Sequence, residues 1–110
     1  MAERVNHSER ATKELNQLDP LLQHRSRLGA AVLLSGADAL SFSRLKALLE
    51  ETDGNLGAQL RKLEDAGYVS VKKEFVERKP VSWYSLSSAG KKALKSHLAA
   101  MDGLIKSAGV

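Results

Sequence analysis

The stretch TDGNLGAQLRKLEDAGYV, from Thr52 to Val69, decides the fold. Threonine is a preferred helix N-cap, and Leu56, Leu60 and Leu63 follow it at the spacing of one helical face. Gly67 ends the helix, and the chain runs directly into YVSVKK, whose alternation of apolar and polar residues is typical of a strand. The sequence therefore predicts an amphipathic helix that is joined to a strand by a tight turn.

Another helix is predicted immediately before this one. The segment SRLKALLEE begins with a serine cap at position 41 or 43, places Leu45, Leu48 and Leu49 on its apolar stripe, and ends near residue 51. Only a residue or two separates it from Thr52, which is the spacing of a helix-turn-helix. Residues 39–42 are too short for a helix and predict a small edge strand.

The N-terminal part of the chain predicts two further segments. Residues 1–18 are polar with sparse apolar positions and fit a weak amphipathic helix or a frayed arm. Asp19 followed by Pro20 predicts a helix start, and this helix should reach about residue 34 with a break near Arg25. Its predicted buried face consists of Leu28, Ala31, Val32 and Leu34.

The C-terminal part predicts a hairpin and a last helix. Residues 68–73 and 81–86 read as paired strands, and EFVERKP between them reads as a charged tip too long for a two-residue turn. Trp83 and Tyr84 alternate, so one packs inward and the other is exposed, and Tyr84 and Leu86 are expected in different environments. Ser87 caps the final helix.

The final helix carries apolar residues at the 4, 3, 4 spacing of a short heptad seam. Within the chain only the N-terminal arm could cover this seam, and two protomers could cover it mutually. We therefore expect a homodimer. The chain divides into an arm (1–18), a winged helix-turn-helix domain (19–95) and a dimerisation segment (96–110), and the expected dimer contacts are Leu15, Leu18, Leu94, Leu98, Met101 and Ile105.

The positive charge is concentrated in the middle of the chain. The net charge is +4, and residues 41–95 hold eleven basic against seven acidic side chains, whereas residues 1–40 hold five of each. Such a basic segment suits a polyanion. Surface cations also serve plain solubility, so charge alone does not identify the partner.

Several function classes are disfavoured by what the sequence lacks. There is no cysteine, the three histidines are scattered singly, and adjacent carboxylates on a helix diverge by about 100°. We therefore expect no enzyme activity, no metal and no cofactor, and no residue cluster defines a pocket for a small-molecule effector. The longest apolar run, LGAAVLL, is too short to span a membrane, which favours a cytoplasmic protein.

The order helix, short strand, helix, helix, strand, basic tip, strand, helix predicts a winged helix-turn-helix, a mainly α fold with a small β-wing. A helix about 10 Å across fits the major groove of double-stranded DNA, and the following ribbon reaches an adjacent groove or the backbone. The alternative is a winged-helix module for protein–protein or RNA contact, in which the basic face is incidental.

The segments TDGNL, LRKLEDAGYV, RKP and YSLSSAGKKAL occur in an order that resembles compact winged-helix regulators allied to the MarR and ArsR families. The resemblance covers most of residues 18–94 and implies a homodimer that binds operator DNA. Glu77 stands where a wing glycine is usual in that family. Gly57 stands where a serine or alanine is usual, and Gln59 where a histidine is common. The expected DNA contacts are Thr52, Asn55, Ala58, Gln59, Arg61, Lys62, Lys73, Arg78 and Lys79.

Overall fold

The computed structural model describes the backbone of residues 2–109 and the side chains of residues 6–109. These residues form the predicted winged helix-turn-helix. The helices are α1 (Ala2–Gln17), α2 (Arg25–Ser35), α3 (Phe42–Leu49), α4 (Asp53–Asp65) and α5 (Ser88–Ser107), and a 3-10 helix spans Pro20–Leu22. The strands are β1 (Leu40–Ser41), β2 (Val69–Val76) and β3 (Lys79–Leu86).

The helices begin where the sequence places capping side chains. The hydroxyls of Ser41, Thr52 and Ser87 each accept a hydrogen bond from the backbone N–H three residues later. Asp19 caps the 3-10 helix with Pro20 at its first position. The predicted break near Arg25 is confirmed, because His24 caps α2 separately.

The core is built mainly from leucines of α2, α3 and α4. Two residues predicted to be buried are not: Val32 is 45% exposed and Leu48 is 43% exposed. Val32 lies about half a turn away from Ala30 and Leu34, through which α2 packs, and α3 buries only the narrow stripe of Leu45 and Leu49. The most completely buried leucines are Leu22, Leu34, Leu45, Leu56, Leu60 and Leu63.

The sheet is antiparallel in the order β1-β3-β2, with β3 in the middle. The expected long hairpin tip is wrong, since the ladder continues to the Val76–Lys79 pair and leaves a two-residue turn. Glu77 and Arg78 form this turn with φ angles of 52° and 68°. Two left-handed residues give the hairpin turn whose twist matches that of the strands.

The wing has one face toward the helices and one away from them. Leu86 is buried and Tyr84, two residues earlier, packs against the core, with its ring centroid 6.5 Å from that of Phe42. The expectation that Tyr84 and Leu86 occupy different environments is therefore wrong, because residues two apart in a strand share a face. Trp83 lies on the opposite face but is half-buried, so the expectation that one of Trp83 and Tyr84 is exposed is wrong as well.

The terminal helices α1 and α5 pack against each other in antiparallel orientation. Near one end His7 Nε2 donates to the Ser107 carbonyl oxygen at 2.7 Å, and at the other the Asp19 N–H donates to His97 Nδ1 at 2.9 Å. The molecule measures 67 × 25 × 21 Å, and its radius of gyration of 17.0 Å exceeds the roughly 13 Å of a compact chain of this length. The helix pair therefore projects from the winged body.

Within residues 2–109 no helix combines the length and the apolar character that crossing a lipid bilayer requires.

Two helical glycines should respond to alanine with opposite signs. A Cβ at Gly57 would meet no atom within 4 Å, whereas one at Gly90 would overlap the Tyr68 carbonyl oxygen and lie 2.8 Å from Leu86 Cδ1. We expect Gly57→Ala to raise the free energy of unfolding by about 1 kcal/mol. Gly90→Ala should lower it by about 1 to 3 kcal/mol.

Urea unfolding at one fixed protein concentration measures both changes. A loss of stability in Gly57→Ala would show that α4 needs the glycine for the fold itself.

Candidate nucleic-acid interface

The helix-turn-helix is closed by a short turn between α3 and α4. Glu50 adopts a left-handed conformation with φ 54° and ends α3, and the chain turns through Glu51 to Thr52. The Thr52 hydroxyl accepts from the Asn55 N–H at 3.2 Å and starts α4. Three residues thus link the helices, one more than the predicted linker of one or two residues. This short linker fixes the direction of α4 relative to α3.

Helix α4 has a buried face and an exposed face. Leu56, Leu60 and Leu63 are 0–1% exposed and attach the helix to the core. Because these three leucines fix the rotation of the helix, the residues opposite them face solvent. The expected contact residues that are exposed on α4 and at its cap are Thr52, Asn55, Ala58, Arg61 and Lys62.

Gln59 does not lie on that exposed surface. It is 8% exposed, and its amide oxygen accepts a hydrogen bond from the Arg27 guanidinium of α2. Its amide nitrogen donates to Asn55 Oδ1 at 3.3 Å. The expectation of a DNA contact at Gln59 is corrected accordingly: its side chain is buried between α4 and α2, and it supports Asn55 through a hydrogen bond.

Asn55 is held from a second side by Glu51. The Asn55 amide donates to Glu51 Oε2, and the same carboxylate accepts from the buried Ser26 hydroxyl at 2.5 Å and from Arg25 Nη1 at 3.1 Å. The hydrogen bonds from Ser26 and then Asn55 hold the pKa of the Glu51 carboxyl below its ordinary value. Asn55 is thereby oriented through side chains that begin on α2.

The Asn55 amide keeps part of its hydrogen-bonding capacity. An asparagine side chain has two N–H donors and two acceptor lone pairs, and the bonds to Glu51 and Gln59 use one of each. One donor and one acceptor remain, which is the pair that binds adenine N7 and N6 in the major groove. The network therefore fixes Asn55 without blocking such a contact.

A groove of about 470 Å³ separates α4 from the wing. Gly57, Ala58 and Arg61 line it on the helix side, and Lys73 and Tyr84 line it on the strand side. Burial, and then the nearby Glu64 carboxylate, raise the pKa of Tyr84, so its phenol is neutral at physiological pH. The structure thus places Arg61 and Lys73, predicted separately, on one concave surface.

Two carboxylates also line this groove. Asp53 forms an ion pair with Lys46 at 2.9 Å, which offsets its charge, and Glu64 lies on the same side as Arg61. The cations of the wing lie further out: Arg78 in the turn and Lys79 at the start of β3 are both exposed. The predicted contacts therefore form a path from the first turn of α4 across the groove to the wing tip.

Sequence reasoning missed the residues behind this surface. Ser26 and Arg27 lie on α2 and Glu51 lies in the turn before α4, and nothing in their spacing indicates that they connect to Asn55. The Asn55–Gln59 pair could have been found, because side chains four apart on a helix are neighbours. Within residues 6–109 no group of three or more histidine, aspartate or glutamate side chains is placed so that it could hold a metal ion.

Residues 26–105 match the family model described as a winged helix DNA-binding domain, and the chain belongs to this family. A protein of Methanocaldococcus jannaschii, whose name describes it as uncharacterised, is 33% identical over 72 residues. This similarity covers 66% of the chain and 78% of that protein.

Solved structures share the fold. A transcriptional regulator homologue from Pyrococcus horikoshii OT3 superposes with a TM-score of 0.81 at 24% identity, covering 93% of this chain and 99% of that one. A MarR-family transcriptional regulator from Streptomyces coelicolor, solved in complex with DNA, superposes with a TM-score of 0.61 at 20% identity and covers 96% and 71% of the two chains. The chain therefore has the fold of winged-helix transcriptional regulators.

The Glu51 network should make stability depend on acid in a defined direction. Because the folded-state pKa of Glu51 lies below its ordinary value of 4.5, the unfolded chain binds the proton first. The stabilisation is complete above about pH 4.5 and is lost as the pH falls through the folded-state value. We expect Glu51→Gln to be less stable than the wild type at pH 7, with a difference that shrinks in acid.

Chemical unfolding between pH 7 and pH 3 measures this difference. Glu50→Gln removes a neighbouring carboxylate that makes no hydrogen bond to a described residue, and it reports the general effect of losing one charge. A difference between wild type and Glu51→Gln that is constant with pH would contradict the assignment.

Proposed function

We propose that the protein is a sequence-specific double-stranded DNA-binding transcriptional regulator that acts as a homodimer. The observation that carries the proposal is the outward surface of α4, where Asn55 is held with a free donor and acceptor and Arg61 lines the groove toward the wing. Helix α4 enters the major groove, and the wing with Arg78 and Lys79 meets the phosphate backbone or the minor groove. The Streptomyces coelicolor relative, which was solved with DNA, supports this assignment by its fold.

The roles of the two surfaces differ. Base contacts specify the sequence, whereas phosphate contacts position the protein and carry no sequence information. Asn55 and Arg61 lie on the helix that enters the groove, so we assign base recognition to them. Arg78 and Lys79 are long, exposed cations at the hairpin tip, and we assign phosphate contacts to them, as we do to Thr52, Lys62 and Lys73. Ala58 has only a methyl group, so we assign it an apolar contact in the major groove.

The dimer is assigned to the projecting pair of α1 and α5. Leu15, Leu98 and Ile105 are 42–56% exposed although α1 already packs on α5. Leu94 does not belong to this surface: it is 5% exposed and lies in the core of the winged body, so its expected role in the dimer is withdrawn. Leu18 and Met101 are half-buried at the edge of the same pair.

A two-fold symmetric dimer can place two copies of α4 on one DNA duplex. A dimer built on one self-complementary patch presents two copies of α4 in opposite directions. Their spacing then selects half-sites about one helical turn, or a multiple of it, apart on one face of the duplex. The operator should accordingly be a palindrome or close to one.

Substitutions on α4 and on the wing should affect DNA binding differently. Asn55→Ala or Arg61→Ala should reduce the discrimination between operator and random duplex by about 1 to 3 kcal/mol for each base interaction that the substitution removes.

The double variant Arg78→Ala with Lys79→Ala should weaken binding to both duplexes alike. The magnitude of its slope of log affinity against log salt should decrease by roughly two per protomer, or about four per dimer. The carboxylate of Glu77 lies beside the basic pair, and its repulsion of phosphate would make this decrease smaller.

The matched control is Arg10→Ala with Lys13→Ala, which removes the same charge from α1 and should leave the salt slope unchanged. Binding is measured by fluorescence anisotropy on a duplex selected from a random pool and on a scrambled duplex. An unchanged slope in the wing variant would leave the exposed lysines at the start of α5, Lys91, Lys92 and Lys95, as the second backbone contact. Failure of the wild type to bind any duplex at low salt would refute the proposed function.

An acidic substitution on the terminal pair should disrupt the dimer. Leu98→Asp places a charge in the expected interface and should raise the dimer dissociation constant by roughly tenfold or more, because each dimer carries the change twice. Leu48→Asp on α3 is the matched control, since the two leucines are 42% and 43% exposed. Sedimentation equilibrium measures both. A wild type that sediments as a monomer would contradict the dimer.

A further inference from the structure

Phe75 is an exposed aromatic side chain close to the tip of the wing. It is 77% exposed, although aromatic residues are usually packed into cores or interfaces. The other phenylalanine of the chain, Phe42, packs against the core. More than three quarters of the surface of Phe75 is exposed, so its ring is available for contact with a partner.

The strand register determines which way Phe75 faces. Val69 is buried in the core, and Val71 and Lys73 line the groove beside α4. Because alternate residues of a strand share a face, Phe75 lies on the same face, further out along β2. Its cross-strand partner is Pro80, so the two form an apolar pair that continues the wall of the groove toward the tip.

The charge around this pair is predominantly positive on the groove side. Lys73 precedes it on the same face, and Arg78 and Lys79 follow it at the turn. Of the two nearby acids, Glu74 lies on the opposite face, where Lys72 is 3.9 Å away, and Glu77 is in the turn. An apolar ring bordered by cations is complementary to a partner that has a negatively charged backbone and flat apolar groups on which the ring can stack.

The distance from the groove suits the duplex that the proposed function assigns to α4. At about 3.3 Å per residue, Phe75 lies roughly 13 Å beyond Val71 along the strand. In a helical repeat of about 34 Å, the minor groove follows the major groove by roughly half a repeat. The roughly 13 Å from the groove-lining Val71 to Phe75 is therefore comparable with the roughly 17 Å between neighbouring grooves when α4 lies in the major groove.

We propose that Phe75 inserts between two base pairs from the minor groove and kinks the duplex, with Pro80 packed against the sugar edge. Apolar wedges of this kind partly unstack one base step and bend DNA toward the major groove. Pyrimidine–purine steps unstack most easily, so Phe75 contributes sequence preference at a position read by deformability rather than by hydrogen bonds. This inference rests on the proposed function and adds a contact to it.

The test uses the full chain and a 30-base-pair duplex, selected by the wild type from a random pool and labelled at both ends for energy transfer. We expect Phe75→Ala to bend the duplex less and to bind it at least about fivefold more weakly, as expected when one stacking interaction is removed. Phe75→Leu keeps an apolar wedge and should retain most of the bend. Val76→Ala is the matched control, because Val76 is 43% exposed at the same tip but on the opposite face.

The outcomes separate this inference from the proposed function. Wild type that binds and bends the duplex, with Phe75→Ala impaired and Val76→Ala normal, supports the wedge. Phe75→Ala and Val76→Ala that bind and bend alike would overturn the wedge and leave the DNA-binding function intact. A change in sedimentation of Phe75→Ala without any change on DNA would place Phe75 in a protein contact and overturn it as well. Wild type that binds no duplex would refute the proposed function itself.

Discussion

The burial of Leu56, Leu60 and Leu63 is the constraint on which the rest of the structure depends. These side chains are 0–1% exposed, and burying a leucine stabilises a protein by about 1.5 to 3 kcal/mol. Rotating α4 by a single residue, about 100°, would turn all three of them away from the core. The same burial therefore fixes which residues face outward, and the polar surface of α4 is a consequence of its apolar one.

A second set of contacts ties the winged body to the projecting helix pair. The Asp19 carboxylate accepts from the Leu21 N–H at 2.9 Å and from the Tyr68 hydroxyl at 2.5 Å, while the Asp19 N–H donates to the buried His97. The hydrogen bond to Asp19 raises the pKa of Tyr68 to about 12, so the phenol remains a donor. Tyr68 leads into the wing and His97 lies on α5, so a specific polar cluster joins the winged body to the projecting helix pair.

The sequence predicts the elements of this fold well because their signals are local. Caps at Ser41, Thr52 and Ser87 and the leucine spacing of α4 depend on residues within two turns. The burial of Leu94 in the core could not be predicted in this way. The heptad spacing of α5 groups Leu94 with the later apolar residues and does not show that it alone packs into the winged body. Gln59 lies three residues after Leu56 and four before Leu63, so its burial follows from the leucine spacing, against the sequence-based expectation. Its partner Arg27 is distant in sequence, and no local pattern indicates that pairing.

The turn of the wing has a conformation that its residue types do not favour. A two-residue turn with both φ angles positive favours Asn-Gly, and a residue with a Cβ costs roughly 1 to 2 kcal/mol there. Glu77 and Arg78 occupy both positions, so the sequence-based expectation of a longer loop is reasonable and wrong. Strain of this kind persists only where surrounding structure compensates for it, here the ladder from Val69 to Val76 against β3. Replacing Glu77 and Arg78 by Asn-Gly would relieve the strain, but it would also remove the cation of Arg78 from the turn. The sequence therefore keeps a charged tip at the expense of stability. The proposed contact between the wing and phosphate needs that charge.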